Sequence, residues 1–330
     1  MNRKNISKKI LHWYDNNKRF LPWRKKVSKK QKEYFTLVSE FMLQQTQVKT
    51  VIPYFINFTD KIPNLISLAK VNDNLLMKCW EGLGYYSRAR NLKKTAINIL
   101  KCYKGKLPNT IDELKSLPGI GDYTSRAIMA IAFNKKIIPL DGNVERILKR
   151  VFYLRKENEI TKEYLNIKKN FFGTSNRSSD YAQAIMEIGA LVCKPISPLC
   201  LQCPISKNCI SFRKKDFEIK TKNKFNKIKY FEAKIYEENN KFLLIKNDKF
   251  NFLKNMPIFP MKEVKEKKYK FSNNKKINIK LSNMDMKIIL NKVDKLPNLT
   301  NKILLEKNKT KSKILPSFTK KIFSSIHKIQ

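Results

Sequence analysis

A chain of 330 residues, 42% of them apolar, has room for two or three domains and an ordinary core. Its 70 Lys and Arg against 27 Asp and Glu give a formal charge of +43, a field that draws polyanions, nucleic acid first. No apolar run approaches the roughly 20 residues of a membrane span, and MNRKNISKKILHWYDNN lacks the apolar core of a signal peptide. A soluble intracellular protein is therefore expected, with six cysteines that are not disulfide staples.

The charge carries less than its size suggests. Basic residues divide into 59 lysines and 11 arginines, a skew that compositional drift produces on its own. Where the arginines persist is more telling, and none lies beyond Arg213.

Helical periodicity runs from the N-terminus to about residue 210. Phe35, Val38, Phe41 and Met42 fit one helix face, with Thr36, Glu40 and Gln44 on the opposite, polar face. Glutamate there reads as a solvated charge. Leu92, Ala96, Ile97 and Leu100 fit a second helix, and Cys79 and Cys102 read as small core residues. Thr110-Ile-Asp-Glu113 is a capping box that starts a short helix ending at Pro118.

Leu117-Pro-Gly-Ile-Gly121 then leads into a helix over 122–133. Gly119 and Gly121 allow positive φ and close backbone approach, and the following helix N-terminus favours an anion such as a DNA phosphate. A plain turn between helices explains the same residues. Asp141 precedes a helix carrying Val144, Ile147, Leu148, Val151 and Phe152, and reads as its N-cap. Glu187, among apolar Ile185, Ile188 and Leu191, reads as a helix-surface charge.

Cys193, Cys200, Cys203 and Cys209 fall in CKPISPLCLQCPISKNC, spaced C-x6-C-x2-C-x5-C. Four thiols in 17 residues broken by prolines describe a loop wrapped around a metal, and thiolates favour zinc or an iron–sulfur cluster. Residues 211–224 read as a Lys-rich linker. In YFEAKIYEENNKFLLIKND two β-prone runs flank Glu-Asn-Asn, a hairpin signal, and KKINIKLSN alternates similarly. A smaller α/β or mostly-β C-terminal domain follows the helical part.

The cysteine loop resembles that of the endonuclease III and MutY group of DNA glycosylases, which implies a 4Fe-4S cluster on the four cysteines. SEFMLQQTQVKTVIPYF, WEGLGYYSRARNL, LPGIGDYT, LDGNVERIL and YAQAIMEIGALVC resemble MutY-type adenine DNA glycosylases, in order, from about residue 11 to 212. The resemblance implies a mainly α helix-hairpin-helix DNA glycosylase fold: a six-helix barrel over 24–135, and an iron–sulfur cluster domain from 1–23 plus 136–210. Beyond the linker it implies a small degenerate Nudix-like α/β domain over 225–330.

It also implies double-stranded DNA holding A:8-oxoguanine or A:G mispairs as substrate, no membrane partner, a monomer, and a cytoplasmic, nucleoid-associated place of work. Glu40 and Asp141 match the family's catalytic carboxylates. Tyr85 matches the residue wedged into the duplex, and Gln44 or Gln45 the one filling the gap. Arg24, Tyr123 and Glu187 match positions contacting the adenine. In the C-terminal part, Phe271-Ser272-Asn273 is the best match to a Phe-Ser-His loop that reads 8-oxoguanine, with asparagine replacing histidine, and no glutamate-rich Nudix box is present.

Two rival functions stay open on these residues. A glycosylase/lyase acting on oxidised pyrimidines needs an amine nucleophile, and the lyase group carries its lysine where this chain has Tyr123. A non-catalytic, metal-bearing nucleic-acid-binding module would have no use for the Glu40 and Asp141 pair.

Overall fold

A computed structural model of the protein describes residues 3–155, 160–218, 227–281, 283–295, 299, 301–309 and 314–326. The helices run α1 (Arg3–Asn17), α2 (Lys29–Leu43), α3 (Val48–Lys61), α4 (Leu65–Lys70), α5 (Asp73–Trp80), α6 (Ser87–Cys102) and α7 (Ile111–Ser116). They continue as α8 (Asp122–Ile131), α9 (Gly142–Val151), α10 (Lys162–Lys168), α11 (Ser178–Glu187) and α12 (Ile210–Arg213), with α13 (Glu266–Phe271) and α14 (Ser317–Ile326) among the strands. Two compact units result, one from Met1–Val71 with Arg90–Thr221, the other from Asn72–Ala89 with Lys222–Gln330. Of the linker expected at 211–224, residues 219–224 lie outside the described residues.

In the helical unit, α2 starts at Ser28, whose hydroxyl accepts the Gln31 N–H at 3.3 Å. Its expected polar face is buried instead: Thr36 is 3% and Glu40 6% exposed. The reason is packing on several sides, since Tyr34, Leu37, Val38, Phe41 and Met42 are also buried and α3 and α8 both pack on this helix. Thr36 satisfies its hydroxyl within the helix, on the Lys32 carbonyl at 2.8 Å.

Thr110 caps α7, accepting the Glu113 N–H at 3.4 Å, while the Glu113 carboxylate accepts from the Thr110 hydroxyl at 2.6 Å. The turn from α7 to α8 places Gly119 at φ +82°, where a Cβ would lie 2.9 Å from both Asn91 Cβ and the Phe41 ring. Gly121 differs: it is the N-cap of α8 at φ −97°, with open space around it and no side-chain cap. Helix α8 ends at Ile131, two residues before the expected end. Cys79 is buried as expected, but Cys102, expected in the core, is exposed because α6 ends there in the loop at Lys104-Gly105, both at positive φ.

In the second unit, strands β1 (Lys227–Ile235), β5 (Met261–Val264), β6 (Lys276–Leu281) and β7 (Met284–Lys292) form a sheet ordered β5-β1-β7-β6, with only β1 and β7 parallel. Strands β2 (Glu237–Glu238), β3 (Lys241–Lys246), β4 (Pro257–Ile258) and β8 (Lys302–Glu306) form another, centred on β3. The expected hairpin is β2–β3, turned by Asn239 and Asn240 at φ 48° and 59°, the left-handed pair that a tight two-residue turn requires. The first β-prone run contributes mostly to β1, which belongs to the other sheet. Between the sheets and α14, Phe231, Phe242, Phe259, Phe318 and Phe323 share one core. Glu81, just after α5, accepts the Leu315 N–H at 3.3 Å and pairs with Lys320 at 2.7 Å, which ties 72–89 to the C-terminal helix.

Gly119→Ala must strain a left-handed backbone and push Asn91 or Phe41 aside, at a cost of about 1–3 kcal/mol. Gly121→Ala meets neither obstacle. Urea denaturation should show a lowered midpoint for the first and a near-native one for the second.

Candidate active site

Glu40 projects from the buried face of α2, and the Tyr123 phenol of α8, whose hydroxyl donates to Met186 Sδ at 3.7 Å, acts on it electrostatically. Burial, then the charge of Asp141, raises its pKa to about 7, against smaller opposing effects from Tyr123 and Arg24. Burial beside the two carboxylates pushes the Tyr123 phenol well above 10, so Tyr123 stays a protonated donor.

Asp141 caps α9. Its Oδ1 accepts the Val144 N–H at 2.7 Å and its Oδ2 accepts Asn143 Nδ2 at 3.0 Å. Burial raises its pKa, while the bonds from Val144 and Asn143 and the charge of Arg146 pull the other way. Two neighbouring carboxyls that repel each other share their protons unequally. The net effect on Asp141 is still upward, but its two donors favour its charged form over that of Glu40.

Asn143 is held by close packing. Gly189 is the second residue of the π-helical turn Ile188–Val192, and a Cβ there would lie 2.5 Å from the Asn143 Cβ. Arg146 adds bonds to the Gly189 and Cys193 carbonyls at 2.7 and 2.8 Å.

Glu187 is not the surface charge its helix pattern suggests. It is 1% exposed, and its Oε2 accepts Arg19 Nε at 2.9 Å while its Oε1 accepts Arg19 Nη2 at 2.8 Å and Arg24 Nη2 at 3.0 Å. Burial raises the carboxyl's pKa, but the two guanidiniums more than offset it and leave the group below the usual range. Arg24 lies over the Tyr14 ring, 5.9 Å from its centroid, and its buried Nε meets no partner among the described residues. Arg24 also acts electrostatically on Glu40, so Arg24, Glu40, Tyr123, Asp141 and Glu187 form one connected group.

Gln44, half-buried, donates to the Gly119 carbonyl at 3.1 Å and to Thr124 Oγ1 at 3.4 Å, which ties α2 to the glycine hairpin. Gln45 is exposed and held at φ 57°. Within the second unit, Tyr85 is 40% exposed at φ 48°, with the Arg88 guanidinium 5.4 Å from its ring centroid. Ser272 ends α13 and accepts the Asn274 N–H at 3.3 Å, next to an exposed Phe271.

The four clustered cysteines line one cavity with apolar Ile147, Val151, Ile188, Val192, Ile205 and Phe212. Burial pushes the Cys203 thiol up to about 12 and raises Cys200 and Cys209, each helped by the neighbouring thiols. Four mutually repelling sulfurs in an apolar cavity suit a bound cationic group. Arg150 donates to Cys193 Sγ at 3.4 Å and to the Lys194 and Pro195 carbonyls at 2.6 and 2.8 Å, bracing the loop. Among the described residues no three His, Cys, Asp or Glu side chains are gathered as a single metal ion needs.

The family model of the HhH-GPD superfamily base excision DNA repair protein matches residues 38–170. The adenine DNA glycosylase of Buchnera aphidicola subsp. Schizaphis graminum is 36% identical over 284 residues, covering 83% of this chain and 80% of that protein. The chain belongs to the adenine DNA glycosylase family. The adenine DNA glycosylase of Buchnera aphidicola subsp. Baizongia pistaciae is 34% identical and spans 97% of this chain and 96% of its own. A solved thermostable thymine-DNA glycosylase covers 64% of this chain and 97% of its own, at 27% identity and a TM-score of 0.56. The family works in base excision repair, and its matched span takes in the α7–α8 pair around Gly119.

Sequence reasoning missed Arg19, Tyr14 and Asn143. A signal for Arg19 was present: an arginine kept in a chain that otherwise prefers lysine marks a site where the planar fork matters.

An exposed glutamate loses its proton near pH 4.5, but folded Glu40 keeps it to about 7. Between these values the folded state binds the extra proton, so stability falls as pH rises through that window. Glu40→Gln should therefore raise the thermal midpoint at pH 8, a gain of up to ~3 kcal/mol, and leave it unchanged at pH 4. Circular-dichroism melts at the two pH values check this.

Proposed function

We propose that the protein is a monofunctional adenine DNA glycosylase that excises adenine opposite 8-oxoguanine or guanine. One observation carries the chemistry: Glu40 is buried, with a pKa raised to about 7, beside an Asp141 that accepts two hydrogen bonds. A purine leaves poorly as an anion, so a positioned acid must protonate it as the bond breaks. Glu40 gives its proton to a ring nitrogen of the flipped adenine and the N-glycosidic bond cleaves, with the bonding electrons leaving on the base. Positive charge develops at the sugar, where the Asp141 carboxylate stabilises it. Water adds to C1′, its proton returns to Glu40, and an abasic site remains. This is the division of labour between two carboxylates with separated pKa values.

The free lone pair of Glu187 and the unpartnered Nε–H of Arg24 suit an amino group and an adjacent ring nitrogen, as adenine offers. Base flipping needs something to fill the stack. Tyr85 and Gln45 are exposed non-glycine residues in left-handed backbone, strain of the sort kept at working positions. With Gln44 occupied at the hairpin, Gln45 is the gap-filler. Gly121 and the uncapped first turn of α8 take a DNA phosphate, and Ser272 contacts the orphaned 8-oxoguanine from a Nudix-like C-terminal domain.

Cys193, Cys200, Cys203 and Cys209 hold a 4Fe-4S cluster, within a cluster domain formed by 1–23 and 136–210. The cluster supplies a cross-link that shapes its loop. An iron assay and visible absorbance should separate it from zinc.

Wild-type protein should yield alkali-labile strands from A:8-oxoguanine duplexes and no borohydride-trapped adduct, since Tyr123 offers no amine; strong trapping on an oxidised pyrimidine would select the lyase reading instead. Glu40→Gln should bind the mispair and leave adenine in place, and Asp141→Asn should bind normally and turn over at least ~100-fold more slowly. The wild-type single-turnover rate should fall as pH rises through about 7, where Glu40 loses its proton. A rate flat from pH 6 to 8.5 would remove Glu40 as the acid.

A further inference from the structure

Glu187 is a carboxylate almost wholly out of water, a placement that requires compensating donors. An ionised carboxylate offers about four lone-pair positions. Arg19 takes one on each oxygen in a bidentate fork, and Arg24 takes a second on Oε1. One position is left, on Oε2. Arg19 also steadies Arg24: its main-chain carbonyl lies 3.5 Å from Arg24 Nη1. The Arg24 guanidinium is thus held at both terminal nitrogens, with its buried Nε unpartnered.

We propose that Arg19 is a positioning residue for base selection: its fork fixes the Glu187 carboxylate so that the last lone pair, beside the Arg24 Nε–H, tests the excised base for an amino group next to a ring nitrogen. Arg19 touches no substrate in this role. A lysine cannot replace it, because a single ammonium cannot bond both oxygens in the plane of the carboxylate. With the fork lost, Glu187 can rotate and Arg24 can take both oxygens itself, which turns the remaining lone pair away from the base and moves the Nε–H.

The inference rests on the adenine-excision reading, and the test separates the two. Single-turnover rates, normalised to burst amplitude to count only folded enzyme, are measured on duplexes carrying adenine or unsubstituted purine opposite 8-oxoguanine. The wild type is expected to prefer adenine. Arg19→Lys should lose at least about tenfold on adenine, lose much less on purine, and so collapse the adenine-to-purine ratio. Its dissociation constant for the mispair should stay within about threefold, because no DNA contact is removed. In a Glu187→Gln background the same Arg19→Lys change should no longer alter the ratio. Equal losses on both bases, or an unchanged ratio, overturn the positioning role and leave Arg19 a structural ion pair. A wild type that excises neither base overturns the parent reading and this inference together.

Discussion

Two carboxyl groups in one poorly solvated pocket do not readily both stay charged, and the proposed chemistry of this protein depends on how that conflict resolves. Glu40 is almost fully buried, with the Tyr123 phenol nearby. Asp141 has the first-turn amide of α9 and the Asn143 amide as donors, with the Arg146 charge nearby. These donors favour the proton on Glu40 and the charge on Asp141. On the proposed mechanism, an acid and a charged stabiliser arise from two ordinary carboxylates through unequal surroundings.

Those surroundings depend on close packing at a few small residues. Gly119 lets the hairpin pass between Asn91 and Phe41, and Gln44 then fastens α2 to it, bringing the start of α8 and Tyr123 to Glu40. Gly189 does the same on the other side, letting Asn143 press against the π-helical turn that leads to Cys193. Through Arg146 and Arg150 the cysteine loop is tied to the helix that Asp141 caps. Hydrogen bonds thereby join the cysteine loop to α9.

The second polar knot, Arg19 and Arg24 on Glu187, follows the opposite rule. There the carboxylate keeps its charge despite deeper burial, because two guanidiniums face it. Glu40 and Glu187 are the same residue type at similar exposure, 6% and 1%, yet one is held as an acid and the other as an acceptor. Neighbouring charge, not burial alone, decides which.

Much of the molecule was legible in the chain. Helical periodicity to about residue 210, the Thr110 start signal, the β2–β3 hairpin at Asn239-Asn240 and the family all follow from short-range pattern, because caps, turns and motifs are local. Burial was less legible. Periodicity gave α2 a solvated face and Glu187 a surface position, since a polar residue on a helix reads the same whether water or another helix lies beyond it. Arg19 escaped notice because its partner is 168 positions away. The sequence by itself determined which chemical groups exist and where helices begin. Only the tertiary structure decided which carboxylate holds a proton, which glutamine is free and which arginine clamps Glu187, because charge state and hydrogen-bond partners are set by neighbours that folding brings together from distant parts of the chain.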